Sequence, residues 1–165
     1  MKQLKTLLFA ALVFMSTSQV NAQAKVAHVD TNAIMAAMPE MLQAQKQLET
    51  LQGVYDKEFK QMVDEYQAKL TKYNQEAETV TDAMNQERAK EIQDMEKRIQ
   101  DYRQTAQKEL TKKEEDLMKP LMEKTKVAIE KVGKAKGYQY VLNAAGLLLA
   151  DGPDLTTDVK KELGF

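Results

Sequence analysis

A single histidine, His28, and no cysteine leave this chain with few side chains for covalent or metal chemistry. Without a thiol there is neither a disulfide nor a sulfur nucleophile. His28 stands in a β-prone run with no motif to supply it a base or a metal, and it reads as structural. The acidic run Glu114-Glu115-Asp116 lies in a helical, charge-rich stretch and reads as a solvated face. No glycine-rich loop precedes a helix, so a phosphate cradle is missing. The expectation is a protein that is not an enzyme and uses no cofactor. The residues on offer suit adhesion instead. Met35, Met38, Met41, Met118 and Met122 cluster around Pro39 and Pro120. Methionine is flexible and polarisable, so it adapts to variable apolar partners. These seven residues are candidates for such contacts or for a hinge. The plainer alternative is ordinary packing where a helix meets a small body.

The elements that must position them follow from a mirror pattern. Apolar residues of two long helical runs pair around Val80-Thr81 at an index sum of 161. Tyr55 matches Ala106, Phe59 matches Tyr102, Met62 matches Ile99, and Tyr66 matches Met95. An antiparallel helical hairpin requires this, because its arms leave one turn in opposite directions. The expected arm spans residues 41–120 with its turn near 78–82, each helix being about 55–60 Å long at 1.5 Å per residue. Tyr55, Phe59, Met62, Tyr66, Met95, Ile99 and Tyr102 form its seam. Leu48, Phe59 and Leu70 recur every eleven residues, which predicts a straight to weakly right-handed pair of helices. Thr81 or Asp82 can cap the return helix. Pro120 should kink it at the height of Pro39, and Gly133 and Gly137 should end it. Gly53 reads equally as a flexing point or as a tolerated surface glycine.

Residues 23–40 and 121–165 are left for a small α/β body. Expected there are strands at 25–30, 138–142 and 147–150, a short helix before Pro39, and a final helix. Asp154 should cap that helix, and Leu155, Val159 and Leu163 should share one face. So small a sheet buries too little apolar surface to stand alone, and the run Leu147-Leu148-Leu149 wants cover on both faces. Oligomerisation through the body is the economical answer. The fold class is therefore α+β, a long antiparallel α-helical hairpin (a coiled-coil arm) on a small β-body.

Residues 1–22 look like a cleavable signal peptide. Lys2 and Lys5 precede an apolar stretch from Leu7 to Met15, and Val20-Asn21-Ala22 supplies small residues for cleavage. The mature chain is expected to be soluble and exported. Lys2 and Lys5 leave with the peptide, so 24 basic residues become 22 against 25 acidic, a net charge of −3. That balance argues against nucleic acid as a partner. Around the tip, Lys69, Lys72, Arg88 and Lys90 face Glu76, Glu78, Asp82, Glu87, Glu91 and Asp94. Contact with lipopolysaccharide or an anionic membrane is therefore doubtful. Near the end of the second helix Lys124, Lys126, Lys131, Lys134 and Lys136 outnumber Glu123 and Glu130. They suit the helix dipole, or else a roof that attracts acidic loops.

The whole pattern resembles the Skp/OmpH family of periplasmic chaperones across essentially the entire mature chain. The resemblance rests on Val26-Ala27-His28-Val29-Asp30, the long charged hairpin, Gly137-Tyr138-Gln139-Tyr140-Val141-Leu142, and Asp154-Leu155-Thr156-Thr157-Asp158-Val159. It implies a jellyfish-like homotrimer, with strands of three chains in a central β-body and three arms around a cavity. It further implies an ATP-independent holdase in the periplasm. Such a protein keeps unfolded outer-membrane proteins from aggregating until the outer-membrane insertion machinery receives them. A different class of function, a coiled-coil envelope spacer or adaptor, fits the same arm.

Overall fold

A computed structural model describes residues 24–165; the expected signal peptide lies outside them. In chain order the elements are β1 (Val26–Val29), α1 (Thr31–Ala37), α2 (Pro39–Glu76), α3 (Asp82–Ala135), β2 (Tyr140–Asn143), a 3-10 turn (Ala144–Gly146) and α4 (Thr156–Leu163).

Local chemistry sets the ends of these elements. Asp30 caps α1 by accepting the Ala33 N–H at 2.9 Å. Met38 stops α1 because Pro39 cannot donate onward, and Pro39 opens α2 at its first helical position. Residues 77–81 make the turn. The Thr79 N–H and hydroxyl both donate to the Glu76 carbonyl, at 2.9 and 2.8 Å. Thr81 then caps α3 by accepting from Met84 N–H at 3.3 Å. The Asn85 side-chain amide donates to the Ala77 carbonyl at 2.9 Å and ties the two helices at the tip.

α3 stays helical through Pro120 over 54 residues. The ring removes one N–H, which leaves the Asp116 carbonyl without its helical partner. Pro120 is exposed, so water can reach that carbonyl. Gly133 departs from the expectation, because it lies buried inside α3 and does not end it. A Cβ there would sit 2.8 Å from Val141 Cγ2, so the missing side chain lets β2 approach the helix. Gly137 alone ends α3, at φ 75°. Its N–H reaches the Lys134 carbonyl and the Tyr138 N–H the Gly133 carbonyl, the paired bonds of a Schellman motif.

The sheet has two strands and not three. β1 and β2 run parallel, with Val26 opposite Tyr140 and Val29 opposite Asn143. The strand expected at 147–150 is absent, and that segment is irregular with Leu148 and Leu149 exposed. The second edge of β1 is already taken. His28 N–H donates to the Pro153 carbonyl and Leu155 N–H to the His28 carbonyl, a one-residue parallel rung opposite Asp154. Among the described residues the outer edge of β2 stays open, and the three leucines do not pair with it. Leu155, and not Asp154, is the N-cap of α4 and makes no side-chain cap bond; Asp154, one residue earlier, accepts from the Thr156 N–H at 2.8 Å. Thr156 Oγ1 in turn accepts the Asp30 N–H at 2.9 Å, locking the C-terminal segment to the end of β1.

The core of the body gathers Ala27, Val29, Ile34, Ala128, Val132, Leu155 and Val159. Leu163 and Phe165 pack against it. Its materials come from both ends of the chain and from the last turns of α3, so the arm is rooted in the body through one continuous helix.

Candidate functional site: the arm and its root

Two helices side by side can bury only one stripe. On α2 the residues Leu48, Leu51, Tyr55, Phe59, Met62, Tyr66, Leu70 and Tyr73 are half-buried, and Ala44 is buried. On α3 the half-buried set includes Ile92, Met95, Ile99, Tyr102, Leu110 and Leu117, with Ala106 buried. Met62, Met95 and Ile99 border one small cleft. Cross-arm polar bonds give the register: the residue numbers of the pairs Tyr55–Glu109, Tyr66–Glu96, Tyr102–Glu58 and Glu76–Arg88 sum to between 160 and 164.

Those bonds reveal a pattern the apolar reading missed. Tyr55, Tyr66, Tyr73 and Tyr102 each donate a hydroxyl hydrogen bond to a glutamate on the facing helix. The partners are Glu109, Glu96, Glu91 and Glu58 in turn; the Tyr66 bond is 2.6 Å and the Tyr102 bond 2.7 Å. Each ring fills the seam while its hydroxyl reaches the flank, so one side chain supplies apolar packing and a charge-assisted bond. Every one of these hydroxyls is held above its ordinary range, for Tyr55, Tyr66 and Tyr73 chiefly because the hydrogen bond to the carboxylate needs the proton. Tyr102 is pushed up to about 12, mainly by desolvation and then by the bond to Glu58. A signal was present in the sequence. Each partner glutamate stands one or three positions from the tyrosine's mirror residue: three positions keep it on the same face, and one position turns it about 100° toward the flank.

At the tip the charges consume one another. Glu91 accepts from both Lys69 and Tyr73, which lowers its carboxyl from the usual range, with the Lys69 bond the larger cause. Arg88 pairs with Glu76 at 2.6 Å and lies 4.6 Å from the centre of the Tyr73 ring. Lys69 and Arg88 are thus engaged within the tip, while Lys72, Lys90, Glu78, Asp82, Glu87 and Asp94 stay exposed.

At the root the methionines divide. Met38 is fully buried, whereas Met122 is 61% exposed. Met35, Met41 and Met118 are half-buried, and the Thr125 hydroxyl, which donates to the Leu121 carbonyl at 2.9 Å, lies 3.3 Å from the Met35 sulfur. The Lys124–Glu40 ion pair and the Met35–Thr125 contact flank Pro39, and on α3 both lie beyond Pro120. The root lysines are paired too. Lys126 meets Glu123, Lys131 meets Glu162, Lys134 meets Glu130, and Lys136 meets Asp158. Such surface pairs add little stability, but they cancel the cationic roof suggested by composition.

Apolar side chains also face solvent. Leu42, Val54 and Val127 are exposed along the arm and its root, and Val26, Tyr140, Leu142, Leu148 and Leu149 on the body. No helix among the described residues is long and apolar enough to cross a membrane.

Comparison with known proteins agrees with this architecture. A curated relative, the chaperone protein Skp of Pectobacterium atrosepticum, is 22% identical over 153 residues, covering 92% of this chain and 93% of its own. A solved structure of an OmpH-like outer membrane chaperone from Caulobacter crescentus CB15 superposes with a TM-score of 0.77 at 17% identity, covering 86% of this chain and 85% of that one. The model of the OmpH-like outer membrane protein family matches residues 25–163, and the chain belongs to that family.

Proposed function

We infer that this protein is an ATP-independent holdase of the periplasm. It works as a homotrimer whose three arms surround a cavity for unfolded outer-membrane proteins. The observation that carries this reading is the arm: a rod with its seam satisfied across the helices, yet with apolar side chains left facing solvent. Leu42, Val54 and Met122 are exposed. Such residues on three rods give many weak contacts, and multivalency slows the escape of a client that each contact holds poorly. Release needs no nucleotide, because folding into a membrane buries the apolar surface that the arms had shielded. Handover to the outer-membrane insertion machinery would follow. The likeness to the chaperone Skp and the family match support the class of function. The net acidic tip speaks against lipopolysaccharide or anionic membranes as tip ligands.

Diluting a urea-unfolded outer-membrane β-barrel into buffer and following light scattering tests the reading. The mature protein should suppress scattering at a small molar excess over client, without ATP. A coiled-coil spacer, the competing function for such a rod, would leave the scattering unchanged.

A further inference from the structure

Midway along the arm, one flank opens into a groove of about 380 Å³ between α2 and α3. Its walls are the rings of Tyr55, Phe59 and Tyr102 with Leu110, and the small side chain of Ala106 leaves the space between them. Tyr55 and Tyr102 meet edge to face, 6.1 Å apart. Both rings are pinned through their hydroxyls to Glu109 and Glu58, and neither glutamate borders the groove. The walls are therefore held in place before anything binds. A volume of this size lies in the range of sites that enclose a small ligand or one or two side chains.

The rim has a second regularity. Gln52 and Asp56 on α2 lead to Phe59, and Arg103 and Gln107 on α3 lead to Leu110, each row stepping by four and then three residues. Two polar rows thus flank one apolar trough. Gln52 and Gln107 each offer a donor and an acceptor, Arg103 donors only, and Asp56 acceptors only. Among the described residues neither Asp56 nor Arg103 is in an ion pair.

We propose that this groove is a subsite for an extended polypeptide segment, taking one apolar or aromatic side chain into the trough and the flanking backbone onto the rim. The inference rests on the holdase reading and names a place where the arm touches its client. Complementarity selects the occupant. Every stretch of unfolded chain carries unpaired N–H and C=O groups in equal number, and a rim of balanced donors and acceptors with no net charge answers both. A folded protein has spent those groups on its own secondary structure. The site thus asks for one apolar side chain and otherwise discriminates by foldedness.

The test uses the full mature protein with a benzophenone amino acid in place of Gln107. A control chain carries it in place of Gln93, exposed elsewhere on the same helix. Each is illuminated with a urea-diluted outer-membrane β-barrel. The expected yield at position 107 exceeds that at 93 by roughly tenfold, which about 1.4 kcal/mol of local preference produces. The same barrel already folded in detergent should not be captured at 107. The double variant Asp56→Ala, Arg103→Ala alters only exposed side chains and should cut the yield at 107 while circular dichroism stays unchanged. If aggregation is suppressed but positions 107 and 93 capture client equally, the subsite is wrong and the holdase reading stands. If aggregation is not suppressed at all, the holdase reading falls and the subsite with it.

Discussion

Tyr55, Tyr66, Tyr73 and Tyr102 show how a thin rod is made to hold together. A two-helix seam leaves its large side chains only half-buried, so apolar burial is limited there. The tyrosines add a directional bond, and their glutamates must be ionised to accept it well. This has a pH signature with two edges. Glu91 and Glu40 titrate below the usual carboxylate range because of Lys69 and Lys124. Their contribution is full above the ordinary glutamate value of about 4.5 and is lost as pH falls through the lowered folded value. The tyrosines titrate above their ordinary range, so their contribution is full below pH 10 and is lost as pH rises toward the folded value, about 12 for Tyr102. Thermal unfolding followed by circular dichroism should therefore show a plateau from about pH 5 to 10. Replacing all four tyrosines with phenylalanine should lower the plateau and remove most of the alkaline edge. An unchanged alkaline edge in that variant would show that the hydroxyls are idle.

At the scale of the element, the point of interest is where rod meets body. Pro39 begins α2, and Pro120 lies in α3 between the arm and the root. Each lacks a backbone donor, and Met35, Met41 and Met118 pack nearby with adaptable side chains. We expect this level to act as a hinge that swings the arm as one piece, since the seam above it is cross-linked by hydrogen bonds and ion pairs. Pro120→Ala restores the bond to the Asp116 carbonyl and should stiffen the junction. Spin labels on Glu78, exposed at the tip, should report a narrower spread of tip-to-tip distances in the assembled variant. An unchanged spread would assign the proline a fixed bend instead. Gly53 would then be the next candidate, being exposed with open space around it.

At the scale of the whole molecule, the body is the part that looks unfinished in isolation. Its core is small, β2 offers a free edge, and Leu148 and Leu149 are 109% and 80% exposed. Patches of this kind mark surfaces that meet other surfaces. The expected partner is the same face of other copies, three in all. Native mass measurement should give a trimer for the mature chain and a monomer for Leu148→Asp, Leu149→Asp. Because neither leucine belongs to the core of the single chain, helicity should persist in that variant. A variant that remains trimeric would move the interface elsewhere. By the same logic, excising residues 50–111 should leave the oligomer intact, as that segment contributes nothing to the core of the body.

The spacing of apolar residues alone determined the hairpin, its turn and its register, because helical periodicity and antiparallel pairing are local rules applied along one line. Asp30, Pro39 and Thr81 marked helix ends for equally local reasons, the presence of a side-chain acceptor or the lack of an N–H. What needed three dimensions was everything set by residues far apart in the chain. Leu147-Leu148-Leu149 reads as a strand, yet the segment is irregular: residues 153–155 occupy the second edge of β1, and the outer edge of β2 is left open among the described residues. Gly133 reads as a helix stop, yet Val141 reaches into the space its missing side chain leaves. The root lysines read as a cationic face until α4 brings Glu162 and Asp158 against Lys131 and Lys136. The tyrosine–glutamate bonds belong with these. Both residue types were visible, but only the distance between two packed helices decided that each hydroxyl would reach its carboxylate.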